Sequence, residues 1–507
     1  MTWVRADISA RAQTRPVARR GSVGAMTRRL RSRLLALALT MACVPVFVAT
    51  GAPAAAKPRT GPHLEWGPCP DGAGAAGVEC ATLRVPVDWQ RPRGPKLTLA
   101  IGRLKATGQA EGSVLVGFGG PVGSYIELLG GYARDSFTDL RTRMNVVTWD
   151  IRGGPGRPGL SRPVLDCQWR VERVPEYPRS PGEYARLAAN NKAAAQRCRS
   201  KDPLLFDNMD SASNARDMEA IRRALGEPGL NYYGSSYGGL FGQAYARLFP
   251  DRVRTMVLDG SLSHSADSWW RELGRRAADN ERSMRRFFDW CAEDTGCALH
   301  GHDLPRRWQA LTARADREPI PAPKVDASYG GRDLRNLGLM AARQGPSRWG
   351  ELAEAIMRAE QGDASGFAPQ GRIPYPAVPV PAPVECLELP RAGNYWRLTA
   401  LTGWLRRIAP NVGAASPLPM NTLHCEGWPT PVTNPPRPLP RGLPPLLGAG
   451  YWNEFDAVSR VIAQVPGSGS IRHEGPGHVL YFSNACARAH IDSYLTNQEV
   501  PPKNTEC

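Results

Sequence analysis

The run Gly234-Ser235-Ser236-Tyr237-Gly238-Gly239 constrains this chain more than any other feature. It has the form G-x-S-x-G and stands between a predicted strand, Leu230–Gly234, and a predicted helix. A serine on so tight a strand-to-helix turn is exposed and strained, and small residues two before and two after it let the backbone turn. The helix N-terminus beyond it favours developing negative charge. A glycine-rich turn is the bland alternative. With a strand and a helix both in register, the pattern points to Ser236 as a nucleophile. Ser235 offers a hydroxyl at the wrong offset.

The surrounding chain has the rhythm such a turn needs. Residues 81–104 alternate as strands, and the apolar run Ser113–Phe118 ends in Gly119-Gly120-Pro121. A further strand, MNVVTWD, ends at Asp150 and runs into the glycine-rich stretch Gly153–Gly159. Met218, Ile221 and Leu225 recur at helical spacing, with Gly226 placed to cap the helix, and the strand VRTMVLDG follows at Val253–Gly260. Strands alternating with helices predict a mostly parallel sheet covered on both faces. The rhythm breaks after Ser261. Residues 266–440 are helical at first, rich in Trp, and hold the proline-dense stretches Pro369–Pro383 and Pro429–Pro445. Strand character returns at Leu446–Tyr451 and Ser470–His473, before a last helix at Ala485–Leu495. The expected architecture is an α/β-hydrolase fold, with a sheet core of residues 57–265 and 441–507 and an inserted lid at 266–440.

Acyl transfer needs two backbone N–H groups aimed at the oxyanion. One is expected from Tyr237, just after the nucleophile, and the other from the Gly119-Gly120-Pro121 loop, with Gly119 the first choice. A general base must follow in the order serine, acid, histidine. Of eight histidines, His478 fits, in the loop Gly475-Pro476-Gly477-His478 after the last predicted strand. His473 lies inside that strand.

The N-terminus reads as an export signal. Arg28, Arg29, Arg31 and Arg33 precede an apolar run, Leu34 to Val48, and Ala54-Ala55-Ala56 follow, so residues 1–56 are expected to be removed. Met26 is an alternative start, and Cys43 an alternative lipid-attachment site. Nine Arg and one Asp in that stretch carry +8 of the formal +17, leaving +9 for the remainder. No dense basic run interleaves with aromatics, so the charge reads as solvated surface and nucleic-acid binding is not expected. Of eleven cysteines, ten follow the leader. Their order suggests the neighbour pairs Cys69–Cys80, Cys167–Cys198, Cys291–Cys297, Cys386–Cys425 and Cys486–Cys507. With no CxxC pair or close Cys/His cluster, disulfides are favoured over a metal site, and no metal or organic cofactor is expected.

Several stretches resemble the secreted tripeptidyl aminopeptidases of actinomycetes, relatives of proline iminopeptidases. They are GFGGPVGS (Gly117–Ser124), DIRGGPGRPGLSRPVLDC (Asp150–Cys167), Ala215–Gly260, Val384–Glu388 and the tail from Gly442. The resemblance implies removal of short peptides from a free N-terminus, with lid carboxylates holding the substrate's α-ammonium. Glu385 and Glu388 match that lid motif, and a buried ammonium does need a paired carboxylate. Two departures stand out: Val122 replaces a glycine of the oxyanion loop, and a short turn in the tail is missing. Read forward from Gly442, the family's acid falls on Glu454; removing about four residues after it reconciles the reading backward from His478. Glu454 is therefore the expected acid and Asp456 its rival. Hydrolysis of an ester, lactone or other small acyl compound by the same triad is the second reading, and a catalytically inactive binding protein the third. Expected partners are short peptides or small acyl substrates, without stable membrane association after export.

Overall fold

The computed structural model describes residues 64–507 except 71–76, 121–122, 132, 156–157, 168–169, 172–176, 369–377, 380–381 and 416–422. The expected leader, Met26, Cys43 and Val122 lie outside the described residues.

The main sheet has ten strands: β1 (Gly67–Pro68), β2 (Val78–Pro86), β3 (Lys96–Leu104), β4 (Gly112–Gly117), β5 (Met144–Trp149), β6 (Leu230–Ser235), β7 (Val253–Asp259), β8 (Leu447–Tyr451), β9 (Gly469–His473) and β10 (Thr505–Glu506). Their spatial order is β1-β2-β3-β5-β4-β6-β7-β8-β9-β10. Pairings as far as β3 with β5 are antiparallel, and every pairing from β5 with β4 to β9 with β10 is parallel. Six residues of β6, LNYYGS, are all buried, as a central parallel strand demands. After β4 the chain steps outward to β5, then returns to the other side of β4 as β6. The strand order therefore reverses between β4 and β6, where open α/β sheets gather their ligands. Residues 119 and 236 leave the sheet at that crevice.

Helices pack around this sheet for local reasons. In α1 (Ser211–Leu225), Asp210 accepts from Ser213 N, and Gly226 closes the helix at φ 74°. Its Met218 and Ile221 point inward. Helix α2 (Gly238–Leu248) follows the serine turn and is buried over most of its length. Below it, Arg152 and Asp217 form a fully buried ion pair, Nη2 to Oδ1 2.6 Å and Nε to Oδ2 2.8 Å. Arg152 also donates to the carbonyls of Pro86, Val87 and Asn208, and Trp89 donates to Asp217, so the charge is fully bonded.

The insertion between β7 and β8 has its own core. Helix α3 (Trp269–Glu293) turns Trp269, Leu273, Ala277, Met284, Phe287 and Cys291 to one side. It packs with α4 (Leu304–Arg317), α5 (Gly331–Arg343) and α6 (Pro346–Glu360) around Trp308, Leu334 and Trp349. Each such buried side chain contributes about 1.5–3 kcal/mol. The insertion is not one block, however. Val384, Cys386, Leu387, Cys425 and Trp428 belong to the core of the main sheet, whereas Leu405, Ala409 and Val412 return to the insertion's core. The reason is apolar: Trp428 stacks on Phe206 at 5.2 Å between ring centroids. All five neighbour cysteine pairs are bridged. No described helix is long and apolar enough to cross a membrane.

Candidate active site

Ser236 sits at φ +52°, a left-handed conformation that a residue with a β-carbon rarely adopts. The turn holds it there. Ser236 N donates to Asp259 O at 2.8 Å, and the flanking glycines leave no room for side chains. A Cβ on Gly238 would run into the carbonyl of Gly117, and one on Gly239 into the Ser261 side chain. The absent side chains let the end of β4 press against the start of α2.

That pressing brings the Gly119 backbone over the serine. A Cβ on Gly119 would stand 2.6 Å from Ser236 Cβ and 2.9 Å from its Oγ, so the Gly119 backbone passes over the serine hydroxyl. Gly120 follows at φ +122°, open to glycine. The Tyr125 hydroxyl donates to Phe118 O and ties the loop down. Asp150 accepts from Ile126 N at 2.8 Å and Leu160 N at 2.5 Å. Tyr237 caps α2, at the position from which a helix N-terminus directs its free N–H groups outward.

Glu454 follows β8 and is nearly buried, and its Oε1 is hydrogen-bonded to His478 Nδ1. Val479 N approaches Oε2 at 3.4 Å. This bond and the carboxylate charge raise the imidazole's pKa above its ordinary value, against an opposing effect of burial. Val479 itself has φ +65°, a second strained residue beside the first. Asp456 points elsewhere: it pairs with Arg282, half-exposed at the start of the next helix. His473 Nδ1 meets Cys507 O, and its ring sits edge-on to Tyr451. Ser236, Glu454 and His478 line one cavity of about 840 Å³. Among the described contacts Ser236 Oγ and His478 are not yet hydrogen-bonded, a bond that such sites often tighten only around substrate.

Sequence reading did not single out Asp259. Fully buried at the end of β7, it accepts from Leu480 N and Tyr481 N, each at 2.9 Å, and from the Tyr233 hydroxyl at 2.9 Å. Burial pushes its pKa up to about 6. It fixes the loop that carries His478. Its signal, a carboxylate at the end of an apolar strand, is visible in VRTMVLDG but says nothing about which amides it binds.

Glu385 and Glu388 are both buried, on either side of the Cys386–Cys425 bridge. Glu388 accepts from the Tyr237 hydroxyl at 2.7 Å, from Asn434 Nδ2 at 3.2 Å and from Ser211 N. Burial and the neighbouring Glu388 charge push Glu385 up to about 8. Burial raises Glu388 to about 7. Neither lines the cavity of Ser236; Glu388 reaches the serine turn through Tyr237. Among the described residues, the one His/Cys/Asp/Glu grouping tight enough for an ion is Cys486, His490 and Cys507, and two of these share a disulfide.

Several known proteins are similar to this chain. The chain matches the profile of the alpha/beta hydrolase fold over residues 169–351 and that of TAP-like protein over 413–507. It is 27% identical over 497 residues to the serine protease Hip1 of Mycobacterium tuberculosis (strain H37Rv), covering 89% of this chain and 92% of that one. A tripeptidyl aminopeptidase of Streptomyces lividans is 27% identical over 505 residues, covering 90% and 89%. Carboxylesterase B of Mycobacterium tuberculosis is 28% identical over 521 residues, covering 94% and 96%. With a strained serine at the switch point of a mostly parallel sheet, the chain has the α/β-hydrolase fold of a serine hydrolase, and its residues 413–507 match the TAP-like profile.

Proposed function

We propose that this chain is an exported serine aminopeptidase that releases short peptides, tripeptides among them, from free N-termini. Ser236 Oγ attacks the scissile carbonyl while His478 Nε2 takes its proton, and Glu454 orients and stabilises the imidazolium. The N–H groups of Gly119 and Tyr237 bond the oxyanion. His478 passes its proton to the leaving amine, the acyl-enzyme forms, and water releases the peptide by the reverse sequence. Glu385 lies outside the cavity lining, so it meets the substrate's ammonium once Tyr237 gives way, and Glu388 orients Tyr237. The observation that carries the peptidase reading is the buried pair Glu385 and Glu388, of which Glu388 bonds the hydroxyl of Tyr237, the residue after the nucleophile. The names of the protease and aminopeptidase relatives support it, and the five bridges support export.

Ester hydrolysis is the second reading, favoured by the exposed Leu262 and Met340 that line the cavity and by the carboxylesterase relative. Purified enzyme offered tripeptidyl substrates with free and blocked N-termini, beside simple esters, separates the two. Turnover confined to free-amine peptides is expected; equal turnover of blocked peptides, or of esters alone, sinks the aminopeptidase. A serine-directed phosphonate should label the parent and not Ser236→Ala, whose activity should drop by about three orders of magnitude or more.

A further inference from the structure

Five side chains of fixed charge line the cavity that holds Ser236: Arg276, Asp279, Arg343, Arg348 and Glu454. Four of them have counter-ions. Arg276 Nε lies 3.3 Å from Glu272. Asp279 is met by Arg282 at 2.6 Å and Arg460 at 2.9 Å. Arg348 pairs with Glu351 at 2.7 Å, and Glu454 is bonded to His478. Arg343, the last residue of α5, has no carboxylate within ion-pair distance among the described residues. Its side-chain partner among the described residues is neutral: with the Asn453 amide turned so that its oxygen faces the guanidinium, that oxygen accepts from Nε at 3.2 Å and Nη2 at 2.8 Å.

A guanidinium is planar, always charged, and shaped to bond a carboxylate with two parallel N–H groups. Holding one in a half-buried position without an anion is unfavourable, and an arriving anion relieves that cost. Burial indeed depresses the Arg343 pKa, and the charges of Arg343, Glu454 and His478 act on one another. Arg343 thus stands at the histidine's end of the cavity, beside the loop that carries the acid. That end is where the leaving group departs, since His478 hands it a proton.

We infer that Arg343 binds a carboxylate carried by the leaving portion of the substrate, so that the enzyme selects short substrates whose leaving group ends in a free acid. The inference rests on the serine–histidine reading of the cavity and names the substrate class within it. In a peptide, the leaving residue's own C-terminal carboxylate fills this role. Long polypeptides, whose carboxylate lies far from the scissile bond, gain nothing from it.

The test is a ratio. kcat/KM is measured for a tripeptidyl substrate whose leaving residue ends in a free carboxylate and for its amide. A second pair consists of esters with and without a carboxylate on the alcohol portion. The parent should favour the acid by about ten-fold or more. Arg343→Gln should bring the ratio close to one, and Arg343→Lys should retain part of it. Arg348→Gln, which removes an already paired charge, should keep the parent ratio. Because each ratio is taken on one preparation, a partly misfolded variant does not disturb it. A parent ratio near one, or a ratio that Arg343→Gln leaves intact, overturns the inference. Peptides left uncut beside an ester pair with the Arg343-dependent ratio would defeat the peptidase reading and keep this one. Peptides cut without any ratio would do the reverse.

Discussion

Gly260 lies directly under the carboxylate of Glu454: a Cβ built on it would stand 2.7 Å from Glu454 Oε2 and 3.2 Å from Val479 N. Its φ of +58° also suits glycine. Gly260→Ala should therefore displace Glu454 and the His478 loop together, beyond the cost of about 1–2 kcal/mol that the conformation alone imposes. We expect kcat to fall at least about ten-fold in a protein that still unfolds cooperatively. A variant with the parent's kcat would show that Glu454 is not needed where it stands.

The pH profile should carry the same bond's signature. As the proposed general base, His478 has to be neutral to accept the serine proton, and its pKa is raised above the usual histidine value of 6.5. The acid limb of kcat/KM should accordingly lie above pH 6.5, with activity rising through it. Glu454→Gln removes the charge and leaves a neutral amide beside the imidazole, so the limb should move to lower pH while kcat falls about a thousandfold or more. Asp456→Asn, altering an exposed pair with Arg282, should stay within about two-fold of the parent. The reverse pattern between these two variants would reassign the acid.

Glu385 offers a proton-release experiment. Burial and the Glu388 charge hold its proton up to about pH 8, whereas a bound ammonium favours the carboxylate. Binding of a free-amine peptide to Ser236→Ala should release a proton, read by calorimetry in buffers of different ionisation heat. KM for such peptides should fall as pH rises toward 8, then climb as the substrate's amine loses its own proton near about 8. Glu385→Gln should lower the preference for free over blocked N-termini about ten-fold. Binding without proton release, in parent and variant alike, would remove Glu385 from the site.

Arg152 and Asp217 should matter to stability rather than turnover. Arg152→Met leaves a buried carboxylate without its partner, at about 3–5 kcal/mol. The urea midpoint should drop accordingly, and Arg152→Met combined with Asp217→Leu should recover much of it. A single variant as stable as the parent would contradict the burial of the pair.

What sequence could reach follows from how local each feature is. The strand-to-helix turn at Ser236 is encoded within six residues, and the parallel strands around it are short apolar runs bounded by glycine, so both were legible. The caps Asp210 and Gly226 were legible for the same reason in part: Gly226 was read, and Asp210 was not. The contact between Glu454 and His478 joins two loops across an altered turn, and it came from matching a tail pattern in two directions. Asp259 acts through the backbone amides of Leu480 and Tyr481, over 220 residues onward, where no side-chain pattern betrays it. Arg343 is one of many arginines until its neighbours are counted. The split of residues 266–440 between two cores was hidden because Cys386 and Cys425 look like any other apolar-segment cysteines.

That split has a practical consequence for anyone who would exchange specificity. The polypeptide passes from one core to the other repeatedly between Ser261 and Leu443, and the Cys386–Cys425 bridge fastens two of its returns. The cap is therefore sewn to its base instead of resting on it. A transplant cut only at the two ends of the insertion would carry away part of the foundation under Tyr237, so a graft of a foreign cap has to spare residues 384–388 and 425–443.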